Sequence, residues 1–365
     1  MLNILIATKP DDPDSIYVKL ALEKIGHKVT LWYTSDIPKL QAHTFRLNDG
    51  ELKWSSSGLD FKINESDSID IVWYRRPSKP KLDDLVHPDD LKNAKNENIT
   101  FFKALWQSIA PNAFWVNAPA SFERVNCKLT QLKIAAKLGF SIPETIISND
   151  PDEINHFIKA YPEGGVVYKP IYPTVWVAEN KIRLTYTNVI TLADLPSHQT
   201  LRLTPGIYQR RIKKAYELRV TCMGHTAIAT KLYSQEHECG IEDWRSVSPH
   251  KLRMEPYELP DVIANKCFAL MLKLGVVFGC FDFIVTPEGE YVFLEINEQG
   301  QFLWQEDFHP EIRLLDPFVK FLCSRNSNYV WKSSDISVTI PEFRELMIPI
   351  QKQAMATHVD PGLPI

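Results

Sequence analysis

Residues 281–297 read Phe-Asp-Phe-Ile-Val-Thr-Pro-Glu-Gly-Glu-Tyr-Val-Phe-Leu-Glu-Ile-Asn, two strand-forming runs separated by Pro-Glu-Gly-Glu. Such a pair around a glycine turn predicts an antiparallel hairpin. With the turn centred on Glu288-Gly289, Pro287 faces Glu290 and Asp282 faces Glu295. Side chains alternate along a strand, so Asn297 shares the face of Glu295, while Phe281, Phe283, Leu294 and Ile296 take the other. A hairpin of this kind needs a packed core on one side and a cation on the other, because two cross-strand carboxylates repel unless positive charge lies between them. One or two Mg²⁺ ions, themselves bound to phosphate oxygens, would meet that need. Either acid alone reads as a carboxylate at a strand edge; with Asn297 added, Asp282, Glu295 and Asn297 form a candidate metal site.

Phosphate as the second partner raises the question of what else grips it. Gly is only 14 of 365 residues, and neither GxGxxG nor GxxxxGK occurs. A nucleotide would therefore be held without those two loops. Two lysines in apolar settings are the first alternative. Lys169 ends the run Val166-Val-Tyr-Lys-Pro170, and Lys128 lies early in a predicted helix. A buried ammonium needs an anion, although Lys128 alone also reads as a surface helix lysine. Ile207–Val220 is a strand, a charged connector and a second strand that carries Glu217 and Arg219 on one face. Ile241-Glu-Asp-Trp-Arg-Ser246 brings Arg245 as a further anion ligand. Arginine suits bidentate phosphate or carboxylate contact, and each of these segments alone also fits a solvated ion-pair face.

The first 115 or so residues alternate strand and helix signals, which predicts a parallel α/β layer. Leu2–Ala7, Val29–Tyr33 and Ile69–Tyr74 read as strands, Ser15–Ile25 as a helix stopped by Gly26, and Asn98–Ala110 as a helix ended by Pro111. Ser121–Leu138 is predicted as one long helix closed by Gly139. Asp150-Pro-Asp-Glu153 has the N-cap, N1 and N3 residues of a helix start. Lys181–Thr187 and Val189–Leu192 are predicted to pair over Thr187-Asn188. Beyond Ile207 the texture is mostly β, interrupted by an amphipathic helix, Pro260–Leu274, with Gly275 as its stop. After Arg325 the chain turns polar and reads as a tail of unassigned order.

Composition removes several classes. A formal charge of −4 argues against a dedicated nucleic-acid binder. No apolar run approaches a membrane span, and the first residues read as a strand, not a signal segment. The six cysteines are scattered with no C-x-x-C pair, which fits a reducing compartment and a cytoplasmic location. His237-Glu-Cys239 is read as a solvated loop and not as a metal site.

In chain order, Lys128, Lys169, the Gln209–Ile212 linker, Glu217-Leu-Arg219, Arg245 and Asp282…Glu295-x-Asn297 resemble the ATP-grasp superfamily over roughly residues 116–323. The WYRRP of Trp73–Pro77, the VYKP of Val167–Pro170, the YQ…ELRV segment and the DWR of Asp243–Arg245 resemble the graspetide synthetases, the ligases of microviridin-type peptides. The resemblance implies an α/β N-terminal layer followed by a two-subdomain α+β ATP-grasp fold. It divides the chain into residues 1–115, 116–200, 201–325 and a tail, 326–365. ATP and Mg²⁺ are implied as cofactors. Lys128, Lys169, Gln209, Arg210, Ile212 and Glu217 would contact the nucleotide, and Asp282, Glu295 and Asn297 the metal. Arg219 and Arg245 would stabilise the transferring phosphoryl group or an acyl phosphate. The glycine-rich flap that many ATP-grasp enzymes carry is replaced by Ile171-Tyr-Pro-Thr-Val-Trp176, so a Pro/aromatic flap is expected.

The implied function is ATP-dependent activation of Asp/Glu side chains in a precursor peptide, with closure of ω-ester or ω-amide rings by Ser/Thr or Lys. The partner is a peptide with leader and core segments, the leader docking on the surface, with no nucleic acid and no membrane. Arg75 and Arg76 read either as contacts for acidic groups of that leader or, at least as well, as a structural strand end with solvated arginines. Members of the group are often dimeric, so a homodimer is the expected assembly. A small-molecule carboxylate–amine ligase and a non-catalytic nucleotide- or peptide-binding regulator are the alternatives.

Overall fold

The computed structural model describes residues 1–82, 86–162, 165–172, 175–178, 181–184, 186–333, 336–360 and 362. Its first layer is a four-stranded parallel sheet in the order Lys28–Tyr33, Asn3–Thr8, Ile71–Tyr74, Phe114–Val116. The strands are apolar on both faces because both faces are covered. Ile4, Ile6, Ile71 and Trp73 feed one core with the helix Pro13–Lys24. Leu5, Ala7, Val72 and Tyr74 feed another, closed by Phe102, Leu105 and Trp106 of the helix Leu91–Ser108. As predicted, the first helix ends in front of Gly26, at φ +89°.

Between these strands lies a three-stranded antiparallel meander, Ala42–Asn48, Glu51–Ser57 and Lys62–Asn64, which the sequence reading did not anticipate. Its first turn is Asp49-Gly50, both at positive φ, the pair that a tight hairpin prefers.

The long helix expected over Ser121–Leu138 is two helices, Phe122–Val125 and Lys128–Lys137. Cys127 is extended, and the Asn126 side chain donates to Glu298 Oε1 at 2.7 Å, which holds the break open. Lys128 thereby becomes the first residue of a helix instead of an interior one.

A four-stranded antiparallel sheet follows, in the order Asn188–Ile190, Val166–Lys169, Gly206–Arg210, Thr145–Ser148. The helix Pro151–Ala160 beside it starts as predicted, with the Asp150 carboxylate accepting from Asp152 N. The hairpin expected over Thr187-Asn188 does not form. Lys181–Leu184 pairs instead with Val175–Ala178. Asn188–Ile190 pairs with Val166–Tyr168.

The largest sheet has five antiparallel strands, ordered Met254–Tyr257, Thr226–Leu232, Tyr216–Met223, Phe278–Val285, Tyr291–Asn297. One face packs Leu218, Val220, Phe281, Phe283, Phe293 and Ile296 against Ile263, Cys267, Leu270 and Leu274 of the helix Asp261–Leu274. The other face looks into the cavity described below.

Residues after Arg325 are not a loose tail. Val338, Ile340, Phe343 and Met347 enter the core beneath the first sheet, and Arg344–Thr357 is a helix lying beside Pro13–Lys24. Thr339 and Glu342 cap its approach reciprocally. The buried Glu306 carboxylate accepts from Leu314 N and Leu315 N at 2.8 Å and from Ile340 N at 3.0 Å. The apolar residues are sparse among polar ones, so the docking is hard to see in composition. Among the described residues no helix is long and apolar enough to cross a membrane.

Candidate active site

Asp282 and Glu295 do face each other in the central hairpin, but not by the predicted route. Thr286, not Pro287, is opposite Glu290, and Val285 pairs with Tyr291. The register then shifts between Asp282 and Phe283, so that Phe283 pairs with Phe293 and Asp282 with Glu295. This bulge gives Leu294 no cross-strand partner. Phe293 turns into the core, fully buried, and Leu294 joins Glu295 on the cavity side. The expectation that Leu294 packs with Phe281 and Phe283 is therefore corrected: an extra residue in one strand breaks simple alternation there.

The cavity holds about 760 Å³ and lies between the five-stranded and four-stranded sheets. Every candidate residue of the sequence reading lines it: Lys128, Lys169, Gln209, Arg210, Ile212, Glu217, Arg219, Arg245, Asp282, Glu295 and Asn297. The five-stranded wall is dense with charge. Arg219 Nη1 donates to both oxygens of Asp282, at 2.9 and 2.8 Å, from the adjacent strand position. Lys128 Nζ pairs with Glu295. Asn297 Nδ2 lies between the two acids, 3.3 Å from Asp282 Oδ2 and 3.1 Å from Glu295 Oε1. Burial would raise the Glu295 carboxyl, yet Lys128, Asn297 and Arg245 together hold it well below the usual range. Burial raises Asp282, and the nearby Glu295 charge adds to that, against the pull of Arg219. Glu217 is likewise raised by burial, against Lys214, whose Nζ donates to Glu217 Oε1 at 2.9 Å.

The opposite wall has fewer charges. Burial lowers the Lys169 ammonium below an ordinary lysine, with Glu295 and Asp243 as the favourable charges nearby. Gln209 is buried and donates through Nε2 to Thr145 Oγ1 at 3.0 Å. Arg210 is exposed, its guanidinium 5.7 Å from the Tyr161 ring. Arg245 pairs with Asp243, whose Oδ2 also accepts from Thr187 N at 3.2 Å. The Asp243 hydrogen bond, with its charge, holds Arg245 fully cationic.

Asp282, Glu295 and Asn297 suit a hard cation: all three offer oxygen, and two carboxylates at one place are the donors Mg²⁺ takes. Asn297 already occupies the position between the acids that such an ion would compete for. Among the described residues no group of three His, Cys, Asp or Glu side chains could hold a metal. The expected Pro/aromatic flap lies partly outside the described residues; Ile171 and Tyr172 are exposed.

Three residues escaped the sequence reading. Lys214 reaches the cavity from the charged connector, its side chain only 6% exposed; its place beside a strand start was the available signal. Gln131 pins the strand beside Glu295, donating to Ile296 O at 2.9 Å and accepting from Ile296 N at 3.0 Å. Asp14 also lines the cavity, brought from the first layer. Conversely, Arg75 does not offer itself to a docking leader: it is fully buried and bound to Asp12 and Asp14. The signal for this, Asp-Asp-Pro-Asp at residues 11–14, was unremarked in the sequence.

No family model matches the chain, and no curated protein matches it. Solved structures do. A RiPP-associated ATP-grasp ligase of Chryseobacterium gregarium, in complex with ADP and a leader and core peptide, superposes with a TM-score of 0.81 at 28% identity, covering 93% of this chain and 100% of that one. The macrocyclase MdnC of Microcystis aeruginosa, bound with precursor peptide MdnA, gives 0.78 at 26%, covering 88% and 100%. MdnB of the same organism gives 0.73 at 26%, covering 89% and 98%. The fold and the near-complete coverage of all three enzymes agree: the chain is an ATP-grasp ligase, similar over nearly its whole length to peptide ligases of the graspetide kind.

Proposed function

We propose that the chain is an ADP-forming ligase that activates Asp or Glu side chains of a ribosomally made precursor peptide and closes rings with Ser/Thr or Lys side chains of the same peptide. One observation carries this reading. Two carboxylates and an amide, Asp282, Glu295 and Asn297, share a single cavity with Lys128, Lys169, Arg219 and Arg245, in a chain that overlays the whole of a ligase bound to ADP and peptide.

The residues divide the work by chemistry. Lys169 and Lys128 bind phosphate oxygens, Lys128 by exchanging Glu295 for the nucleotide. Gln209, Arg210 and Ile212 would face the adenine, with Glu217 held by Lys214. Mg²⁺, held by Asp282, Glu295 and Asn297, would supply charge neutralisation on the phosphates. A peptide carboxylate oxygen attacks the γ-phosphorus, ADP leaves, and an acyl phosphate forms. Arg245 and Arg219 offset the charge that develops. The peptide's own hydroxyl or amine then attacks the acyl carbon and phosphate departs, so each ring loses one water overall. Both nucleophiles meet the same acyl phosphate. Tethering them in one peptide raises their effective concentration. In this reading residues 1–115 form the preceding domain, and 116–200 and 201–325 the two halves around the nucleotide.

The test is ADP release by the purified chain with Mg²⁺ and a candidate precursor peptide, with the product mass read in parallel. Peptide-dependent ADP release with loss of one water per ring is expected. Release with free amino acids but no peptide would overturn the peptide assignment.

A further inference from the structure

Arg75 sits at the end of the strand Ile71–Tyr74, in the layer that precedes the cavity, and is 0% exposed. Its guanidinium is saturated. Nε donates to Asp12 Oδ2 at 3.2 Å and Nη2 to Asp14 Oδ2 at 2.9 Å. Nη1 donates to two backbone carbonyls, Gln299 O at 2.5 Å and Gly300 O at 2.9 Å. Those carbonyls belong to the segment that leaves the hairpin immediately after Asn297. The same segment meets Arg219 from its other side: Arg219 Nη2 donates to Gln301 O at 3.2 Å. Gly300 is so close to that guanidinium that a Cβ there would stand 2.7 Å from Arg219 Nη2. Arg219 in turn grips Asp282 with two hydrogen bonds. Asp14 closes the loop, accepting from Phe302 N at 3.3 Å while holding Arg75.

We infer that Arg75 is a positioning residue for the phosphoryl-transfer site, acting through residues 299–301 on Arg219 and Asp282. Only a guanidinium meets these demands together, since it carries five donors in a fixed plane while an ammonium has three. Arg75 of the WYRRP motif thus serves the active site from behind, through backbone. Gln299 and Gly300 offer Arg75 their carbonyls and Gln301 offers its own to Arg219, so no side chain of this segment is what either guanidinium reads.

The inference rests on the ligase reading, and the experiment separates the two. Arg75→Lys keeps the charge but cannot make all the contacts. Asp14→Asn keeps the acceptor for Phe302 N and removes one charge, and it decides the matter if Arg75→Lys does not fold. Both are assayed by thermal melting, by kcat and KM for the precursor peptide, and by affinity for Mg²⁺ with AMPPNP. The expected result for Arg75→Lys is a folded protein whose kcat falls about tenfold or more, because a small displacement of reacting groups is that costly, with peptide KM within about twofold. Arg75→Lys combined with Arg219→Lys should lose less than the product of the single effects. Wild-type kcat in the folded variants would overturn the inference, as would a loss carried by peptide KM, which would return the motif to peptide docking. If the wild type bound Mg²⁺ and AMPPNP but processed no peptide, the ligase reading would fail. The coupling would then be read from nucleotide affinity, where an unchanged value for both variants overturns it.

Discussion

The two walls of the cavity are charged in different ways. On the five-stranded side three acids already have a cation: Asp282 has Arg219, Glu295 has Lys128 and Glu217 has Lys214. On the four-stranded side Lys169 has favourable charges at a distance but no ion pair among the described residues. The first wall is preset, and a metal or phosphate arriving there must exchange partners. The second carries an undischarged desolvation cost, which falls only when an anion arrives. A site of this kind holds its acids in place before use and keeps its gain in binding for the nucleotide.

The largest expected effect tests the preset wall. Asp282→Asn and Glu295→Gln each keep shape and most hydrogen bonds, and each should lower peptide-dependent ADP release by ~10³-fold or more, the scale of lost metal-borne charge stabilisation. The two should differ in stability. Asp282→Asn leaves the Arg219 guanidinium buried without its counter-charge, a loss on the order of 3 kcal/mol. Glu295→Gln releases Lys128, whose side chain is 20% exposed and can turn to water. Steady-state assays and melting curves check both halves, and turnover within tenfold of wild type in either variant would remove that residue from the metal site.

The second effect compares the lysines directly. Lys169→Met should weaken ADP binding by about 1.5–3 kcal/mol, the worth of a charged hydrogen bond, with stability unchanged or improved because a desolvated ammonium is gone. Lys128→Met should do the reverse, costing stability by stranding Glu295 and nucleotide affinity less. Calorimetric titration with ADP and thermal melts would show equal losses in both variants if the walls were not different.

The difference between the walls also governs what the sequence disclosed. The five-stranded side was legible because its strands are long and its hairpin carries a strong turn: Asp282, Glu295 and Asn297 were placed on one face from spacing alone. Even so, agreement at Asp282 and Glu295 came through two departures, a turn one residue earlier and a bulge at Leu294, and neither leaves a mark in alternation. The four-stranded side has strands of three to five residues, too short for a period to speak. Its pairing of Asn188–Ile190 with Val166–Tyr168 is a long-range choice that a local reading gave to Lys181–Thr187. The break at Asn126-Cys127 depends on Glu298, far along the chain, and so does the burial of Arg75 on Gln299 and Gly300. Contacts made at a distance are what sequence pattern does not carry. The Asp49-Gly50 turn, by contrast, is a local signal that the sequence does carry.

The smallest effect concerns pH and sharpens the account of Lys169. Its ammonium is lowered from the ordinary lysine value of 10.5 by burial, so in the nucleotide-free protein it loses its proton earlier as pH rises. Phosphate favours the charged form, so binding draws the proton back. Affinity for ADP should therefore be flat at neutral pH and decline on the alkaline side before the range in which an exposed lysine titrates, with proton uptake on binding growing over the same interval. Lys169→Arg keeps its charge throughout and should remove this early decline, even if its absolute affinity is lower. Titrations in buffers of differing ionisation enthalpy measure both quantities. A wild-type profile identical to that of Lys169→Arg would mean that the lysine is charged at all these pH values, and the contrast between the two walls would then rest on hydrogen bonding alone.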